Sequence, residues 1–218
     1  MPKLIVFNQV SLDGYFTGDN GDLSWAHTRN AQDPEWHSFV KENAKGGGVL
    51  VFGRVTYDMM AGYWPTPAAQ KNDPVVAEQM NALPKIVFSR SLDHAEWKNT
   101  RLVKGDPAAE MRKMKQAPGQ DMVIMGSGTI VSQLAQAGLI DEYQLVVIPV
   151  ALGKGKTMFE GITKMLAMKP TRSRTFHNGN VLLCYEPGDQ EGEADGSAAR
   201  SDQRGQRTPE PAEASHRS

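Results

Sequence analysis

Cysteine is almost absent from this chain, and so are several features that common protein classes require. A single cysteine, Cys184, among 218 residues excludes a framework of internal disulfides and favours a reducing compartment. No apolar run approaches the length of a membrane-spanning helix, and the first apolar run is too short for a secretory signal peptide. We therefore expect a cytoplasmic protein that makes no contact with a membrane.

The chain also lacks the charge and motif patterns of several functional classes. It holds 24 Lys and Arg against 25 Asp and Glu, so no large nucleic-acid-binding face is expected. The five histidines have no metal-ligand spacing and no cysteines to support them, which disfavours a metal site. There is no GxSxG hydrolase motif, and "GKGK" (Gly153–Lys156) lacks the spacing of a phosphate-binding P-loop.

The last 32 residues have no large apolar side chains. Residues 187–218 contain no Val, Ile, Leu, Met, Phe, Tyr, Trp or Cys. Such a segment buries too little apolar surface to offset the entropy lost on ordering. We expect residues 1–186 to form one domain and residues 187–218 to be a disordered, low-complexity tail.

Within the first 186 residues, short β-rich runs alternate with helical patterns. Predicted strands are Lys3–Val10, Val49–Gly53, Lys85–Ser89, 99–105, 121–126 and Glu142–Val150, with helices at 36–46, 54–63, 107–117 and 129–138 between them. Residues 172–187 read as a hairpin that turns at Asn178-Gly179. The pattern predicts an α/β fold with a mostly parallel sheet, helices on both faces and an antiparallel C-terminal hairpin.

Three predicted strand ends carry residues suited to phosphate. They are Gly53, Arg54 and Thr56; Ser89 and Arg90; and Gly126, Ser127, Gly128 and Thr129. Ligands of parallel sheets collect at the carboxyl ends of strands, and a helix N-terminus favours an anion. Each group also has a simpler explanation, because glycine suits any strand-to-helix turn and a lone arginine is often a surface charge. "GSGTIV" does not match the Rossmann fingerprint, since Val131 stands at its third glycine position.

The loop after the first predicted strand, Ser11–Trp25, combines Gly, Asp and Asn with aromatic residues. Tyr15, Phe16 and Trp25 could cover a flat ring ligand or pack beneath the loop as part of the core. Asp13 could be a site acid or only the first residue of an Asp-Gly turn.

Taken in order, the motifs resemble the dihydrofolate reductase-like superfamily, and within it the bacterial riboflavin-biosynthesis reductase domains. The resemblance spans Met1 to about Pro187 and rests on "SLDGY", "FGRVTYDMM", "IVFSRSL" and "MGSGTIVSQLAQAGLIDEYQLVVIPVALGKG". It implies a three-layer sandwich and an NADPH-dependent reductase that acts on a pteridine, pyrimidine or flavin-like heterocycle. Members of the group commonly dimerise, so a homodimer is one expected assembly.

The resemblance assigns roles to particular residues. The pyrophosphate of NADPH would be bound by Gly53, Arg54, Thr56, Gly126, Ser127, Gly128 and Thr129. Ser89 and Arg90 match the place where such reductases hold the 2′-phosphate, and Tyr15 and Trp25 would contact the substrate.

The proton donor is less well defined by the sequence. Dihydrofolate reductases carry an acidic residue at the start of the first helix, where this chain has Asp33 and Glu35. We take Asp13 and Glu35 as the candidate catalytic residues, with Asp13 as a group that orients the substrate or relays a proton. Because the donor is poorly defined, a non-catalytic nucleotide-binding or regulatory module on the same fold is the main alternative, and a structural protein whose glycines serve only turns is another.

Overall fold

The computed structural model describes residues 1–28 and 33–189, which contain a large sheet and a two-stranded one. The strands are β1 (Leu4–Ser11), β2 (Tyr15–Thr17), β3 (Val49–Gly53), β4 (Lys85–Phe88), β5 (Thr100–Val103), β6 (Met122–Met125), β7 (Glu142–Ile148), β8 (Lys156–Thr157), β9 (Met168–Thr175) and β10 (Val181–Pro187). The helices are α1 (Ser24–Thr28), α2 (Pro34–Lys45), α3 (Arg54–Tyr63), α4 (Pro67–Asn72), α5 (Pro74–Ala82), α6 (Pro107–Gln116) and α7 (Gly128–Gln136).

Eight strands form the large sheet in the order β5-β4-β3-β6-β1-β7-β10-β9. The first six run parallel, and β10 is antiparallel to both of its neighbours. Gly179 has φ +86° in the turn between β9 and β10, a conformation that glycine adopts without strain. The predicted parallel sheet and C-terminal hairpin are confirmed.

Helices cover both faces of the large sheet. On one face, buried residues of α6 and α7 such as Met111, Val131 and Leu134 pack against Val6 and Ile124. On the opposite face, α3 and α5 pack over Leu50, Phe52 and Val87, and α2 packs with the C-terminal hairpin through Trp36 and Phe176. This arrangement gives three layers, as the resemblance implied.

Two helices that the sequence pattern did not predict, α4 and α5, follow α3. Each begins with a proline, which suits a first helical position because its missing N–H would have no partner there. The Thr66 hydroxyl accepts a hydrogen bond from the Ala69 N–H at the start of α4. The Thr-Pro and Asp-Pro pairs were therefore the available signals for these helices.

The last strand reaches beyond the domain boundary expected from composition. β10 includes Pro187, which pairs with Met168, and the Gly188 N–H donates to the Ala167 carbonyl at 2.9 Å. The remainder of the predicted tail, residues 190–218, lies outside the described residues. Within the described ranges, no helix is both long and apolar enough to cross a membrane.

Candidate functional site

A cleft of about 770 Å³ opens at the carboxyl ends of β1, β3, β4 and β6. This volume lies within the usual range for small-molecule sites. Among the residues that line it are Gly53, Arg54, Thr56, Gly126, Ser127, Gly128 and Thr129. All seven residues predicted for the pyrophosphate therefore meet at one site.

The starts of α3 and α7 are joined by a reciprocal pair of hydrogen bonds, which we call the α3–α7 clasp. The Ser127 N–H donates to the Thr56 hydroxyl at 3.0 Å, and the Gly53 N–H donates to the Ser127 hydroxyl at 2.8 Å. Both hydroxyl-bearing residues are buried, and Ser127 has φ +59°. The clasp holds the two helix N-termini beside each other, so the Ser127 and Thr56 side chains have structural partners of their own.

Asn8 on β1 fixes the turn that begins α7, a role the sequence did not reveal. Its side-chain oxygen accepts from the Gly126 N–H, and its amide nitrogen donates to the Gly126 carbonyl at 3.2 Å. Asn8 is buried and also contacts the Met158 sulfur. The one available signal was a polar residue directly after the apolar run Leu4–Phe7 of the same strand.

Gly128 lies where the two-stranded sheet of β2 and β8 passes over the start of α7. A Cβ atom on Gly128 would lie 2.8 Å from the Phe16 ring and 3.2 Å from the Thr157 carbonyl oxygen. On Gly126, which has φ +61°, a Cβ atom would meet the Thr56 side chain at 2.9 Å. Both positions therefore require glycine for steric reasons. Because neither residue has a side chain, the backbone itself lines the cleft at both positions.

The helices that open on the cleft have no side-chain caps at their N-termini. Asp33, Thr66 and Asp106 cap α2, α4 and α6 through hydrogen bonds to backbone N–H groups. Neither Gly53 at α3 nor Ser127 at α7 makes such a bond. α5 is also uncapped but does not line the cleft. Uncapped N–H groups and the helix dipole together favour an anion at α3 and α7.

Positive charge outweighs negative charge on the cleft wall. Among its described lining residues, the ionisable side chains are Arg54, Lys156 and Glu160. Arg54 donates to the Ser91 hydroxyl at 2.5 Å and lies 3.4 Å from Asp58. The "GKGK" segment, which does not have the spacing of a P-loop, thus contributes Lys156 to the cleft.

The other part of the cleft is apolar. Phe7, Leu23, Trp25, Met59 and Met60 line it. The Trp25 indole N–H donates to the Asp22 carbonyl at 3.1 Å, which fixes the orientation of the ring. This surface suits a flat heterocycle, because aromatic and thioether side chains stack well on planar rings.

Tyr15 and Phe16 face different surroundings, because neighbouring residues on a strand point to opposite sides. Phe16 lines the cleft, whereas Tyr15 is not among the described lining residues. Of the two aromatic residues predicted to contact the substrate, the structure brings Trp25 to the cleft and replaces Tyr15 by Phe16.

Ser89 and Arg90 lie beyond the end of β4, outside the described lining of the cleft. The Ser89 hydroxyl is buried and accepts from the Leu92 N–H at 3.0 Å. Arg90 is exposed. The bond from Arg54 to Ser91 connects this loop to the start of α3, so Arg90 lies on a segment that borders the α3 side of the cleft.

Asp13 binds a distant loop instead of facing the cleft. Its carboxylate accepts from the Ser11 hydroxyl at 2.6 Å, from the Gly153 N–H at 2.7 Å and from the Leu152 N–H at 3.0 Å. These bonds, led by that of Ser11 and then that of Gly153, lower the pKa of Asp13 to about 2. An acid this strong carries no proton at neutral pH, so the geometry gives the predicted proton relay no support.

Glu35 likewise lies outside the described lining of the cleft. It accepts from the Arg174 guanidinium at 2.9 Å and from the His177 N–H at 3.1 Å, and both bonds lower its pKa below the ordinary value. Asp33, Glu35 and His177 offer ligand atoms within 4.8 Å of one another. Because hydrogen bonds to α2 and the hairpin already engage Asp33 and Glu35, the cluster joins those elements.

Comparison with known proteins agrees with this architecture. The family model of the RibD C-terminal domain matches residues 2–182. The chain belongs to that family. An uncharacterized protein of Bacillus subtilis (strain 168), YyaP, is 26% identical over 185 residues, which are 84% of this chain and 94% of that protein.

Two solved structures are similar to this chain in fold. A deaminase and 5-amino-6-(5-phosphoribosylamino)uracil reductase from Thermotoga maritima has a TM-score of 0.58 and 16% identity, over 86% of this chain and 57% of that one. Dihydrofolate reductase from Enterococcus faecalis, complexed with NADP(H), has a TM-score of 0.51 and 20% identity, over 86% and 97% of the two chains. The RibD C-terminal domain of this chain therefore has a dihydrofolate reductase-like fold, as its sequence motifs indicated.

Proposed function

We propose that this protein is an NADPH-dependent reductase that transfers hydride to a pteridine, pyrimidine or flavin-like heterocycle. The observation that carries the proposal is the pair of uncapped N-termini of α3 and α7, which the α3–α7 clasp holds side by side at the cleft. A pyrophosphate carries negative charge and acceptor oxygens, and both are matched by free N–H groups and two positive helix ends.

The residues present fit a dinucleotide. Arg54 and Lys156 supply positive charge near the phosphate end, and the apolar surface around Trp25 and Met59 suits the nicotinamide and the substrate ring. The similar dihydrofolate reductase from Enterococcus faecalis is complexed with NADP(H). When bound, the cofactor would supply the hydride, while this chain would orient the two rings and exclude water from between them.

Pure protein titrated with NADPH and NADH tests the proposal, with nicotinamide fluorescence and thermal shift as readouts. We expect saturable NADPH binding that raises the melting temperature, because a ligand that binds only the folded state stabilises it. The comparison variant is Gly128→Val, in which NADPH binding should be weaker. Its side chain would collide with Phe16 and the Thr157 carbonyl at the cleft edge. If neither dinucleotide binds the wild-type protein, the proposal is wrong.

A non-catalytic nucleotide-binding module is the second candidate, and a specific observation favours it. Of the described residues that line the cleft, the only carboxylic acid is Glu160, which is exposed. A reaction that needs a protein acid buried beside the substrate has no evident donor among them. NADPH binding without oxidation in the presence of dihydropteridine, aminouracil and flavin substrates would support the non-catalytic module.

A further inference from the structure

Gln9 on β1 has a buried side-chain oxygen without a hydrogen-bond partner. Its Oε1 atom is inaccessible to solvent and accepts no bond from any residue the structure describes. The side chain lines the cleft near the carboxyl end of β1. On the same strand, Asn8 has partners for both its side-chain oxygen and its side-chain nitrogen.

An unpaired buried amide is unfavourable, because the group loses its hydrogen bonds to water and gains none in return. An apolar side chain of similar size at this position would not suffer that loss. A bound molecule that supplied the missing partner would remove this cost at Gln9, because the side chain lines the cleft.

The position of Gln9 favours the substrate over the phosphates. Successive residues of a strand point to opposite faces, so Gln9 faces away from Asn8 and from the Gly126 backbone that Asn8 holds. It shares its face with Phe7, whose ring lies 6.3 Å from that of Phe39 on α2. The side chain of Gln9 thus lies on the α2 side of the sheet, away from the α7 end of the cleft.

We propose that the Gln9 amide binds an N–H of the substrate ring, and that the substrate is a heterocycle with a lactam edge. This inference rests on the proposed reductase function. A primary amide places an acceptor beside a donor, which matches the N–H and C=O of a lactam. A rotation of the Gln9 side chain would turn the buried Oε1 toward the cleft, where it would accept from the ring N–H while Nε2 donates to the adjacent carbonyl. A ring methylated at that nitrogen cannot form the first bond and clashes with the amide.

The test compares N–H probes with their N-methyl counterparts. Riboflavin, lumazine and 6-aminouracil, each beside its 3-methyl derivative, are titrated by calorimetry into protein loaded with NADP⁺, so that no hydride is transferred. The variants are Gln9→Met, which keeps the length of the side chain, and Gln133→Met as a control on the exposed face of α7. We expect at least one N–H probe to bind the wild type and to bind Gln9→Met about tenfold more weakly.

Three further readouts decide the outcome. In Gln9→Met, the affinities for NADP⁺ and for the methylated probe are expected to stay within twofold of the wild-type values. The ligand-free variant is expected to melt about 2–4 °C higher than the wild type, because the unpaired oxygen is gone. A lower melting temperature, equal losses for N–H and N-methyl probes, or a loss confined to NADP⁺ would each overturn the role of Gln9. If NADP⁺ binds the wild type but no N–H probe does, the lactam assignment is wrong, whereas failure of NADP⁺ itself to bind refutes the reductase function.

Discussion

Several polar residues that were expected to contact a ligand make structural hydrogen bonds instead. Thr56 and Ser127 were expected to contact phosphate, yet their hydroxyls already bind backbone N–H groups of the opposite helix start. Asp13 was expected to orient the substrate or relay a proton, yet its carboxylate accepts hydrogen bonds from Ser11, Leu152 and Gly153 and lies outside the described lining of the cleft. At Thr56 and Ser127 the sequence indicated the neighbourhood and the hydrogen bonds determined the role, whereas at Asp13 the sequence indicated neither.

Arg90 supplies a prediction about cofactor choice. It is exposed on the loop that Ser91 connects to Arg54, and a free guanidinium binds phosphate through charge-assisted bonds. We expect Arg90→Ala to weaken NADPH binding about tenfold or more and to leave NADH binding unchanged. Fluorescence titration of both dinucleotides measures this, with Arg112→Ala on α6 as the control. Equal losses for both dinucleotides would remove Arg90 from the 2′-phosphate site.

Lys85 supplies a prediction about pH. Its side chain is 1% exposed, donates to the Leu83 carbonyl at 2.6 Å and lies 4.5 Å from the Trp97 ring centre. Burial lowers the pKa of Lys85 to about 8 from 10.5. Between these two values the unfolded chain binds more protons than the folded one, so the free energy of unfolding rises with pH.

We therefore expect urea unfolding of the wild type to show a gain in stability from pH 8 to pH 10 that Lys85→Met lacks. Lys71→Met, at an exposed position of α4, should retain the gain. The series stops at pH 10 because burial raises the pKa of Tyr143 to about 12, and that group lowers stability at higher pH. A parallel pH profile for wild type and Lys85→Met would contradict the prediction.

At the scale of elements, the α3–α7 clasp turns two ordinary strand-to-helix junctions into one site. α3 follows β3 and α7 follows β6, and these strands are neighbours in the sheet. Adjacent parallel strands bring their carboxyl ends to one edge, so both helices begin at the same place although about 70 residues separate them. The sequence contained both junctions, but their adjacency depends on the strand order.

Thr56→Val tests the clasp. The substitution keeps the shape of the side chain and leaves the buried Ser127 N–H without an acceptor. We expect the free energy of unfolding to fall by about 1–3 kcal/mol. Thr56→Ser retains the hydroxyl and should recover most of that loss. Urea unfolding provides the measurement, and equal stabilities of the Val and Ser variants would show that the hydrogen bond contributes nothing.

At the scale of the whole molecule, carboxylates near the start of the chain bind segments near its end. Asp13 accepts from the N–H groups of Leu152 and Gly153, and Glu35 accepts from Arg174 and His177. The pKa of Asp13 is lowered first by the Ser11 hydroxyl and then by the Gly153 N–H, and the pKa of Glu35 is lowered by Arg174 and His177, so the folded state favours the charged form of both acids.

The sign of this effect predicts acid sensitivity. The stabilisation from Asp13 is complete above its unfolded pKa near 4 and is lost as pH falls through about 2. Urea midpoints of the wild type should therefore drop between pH 4 and pH 2 by more than those of Asp13→Asn. Asp73→Asn, whose side chain caps no helix, serves as the control. An identical drop for Asp13→Asn would show that the carboxylate does not couple the two segments.

The amino-acid sequence by itself determined the alternation of strands and helices, the C-terminal hairpin and the two glycine-containing strand-to-helix junctions, at Gly53 and at Gly126–Thr129. These features follow from local periodicity, glycine at tight turns and short motifs, all of which are contained within a few neighbouring residues. Tertiary structure alone decided that Asp13 and Glu35 bind other segments outside the cleft and that Phe16 lines the cleft in place of Tyr15. It also decided that Asn8 has hydrogen-bond partners on one face of β1, while the oxygen of Gln9 on the other face has none among the described residues. The reason is physical: a side chain's partner is set by strand order and by which face it points to, and those depend on residues more than a hundred positions away.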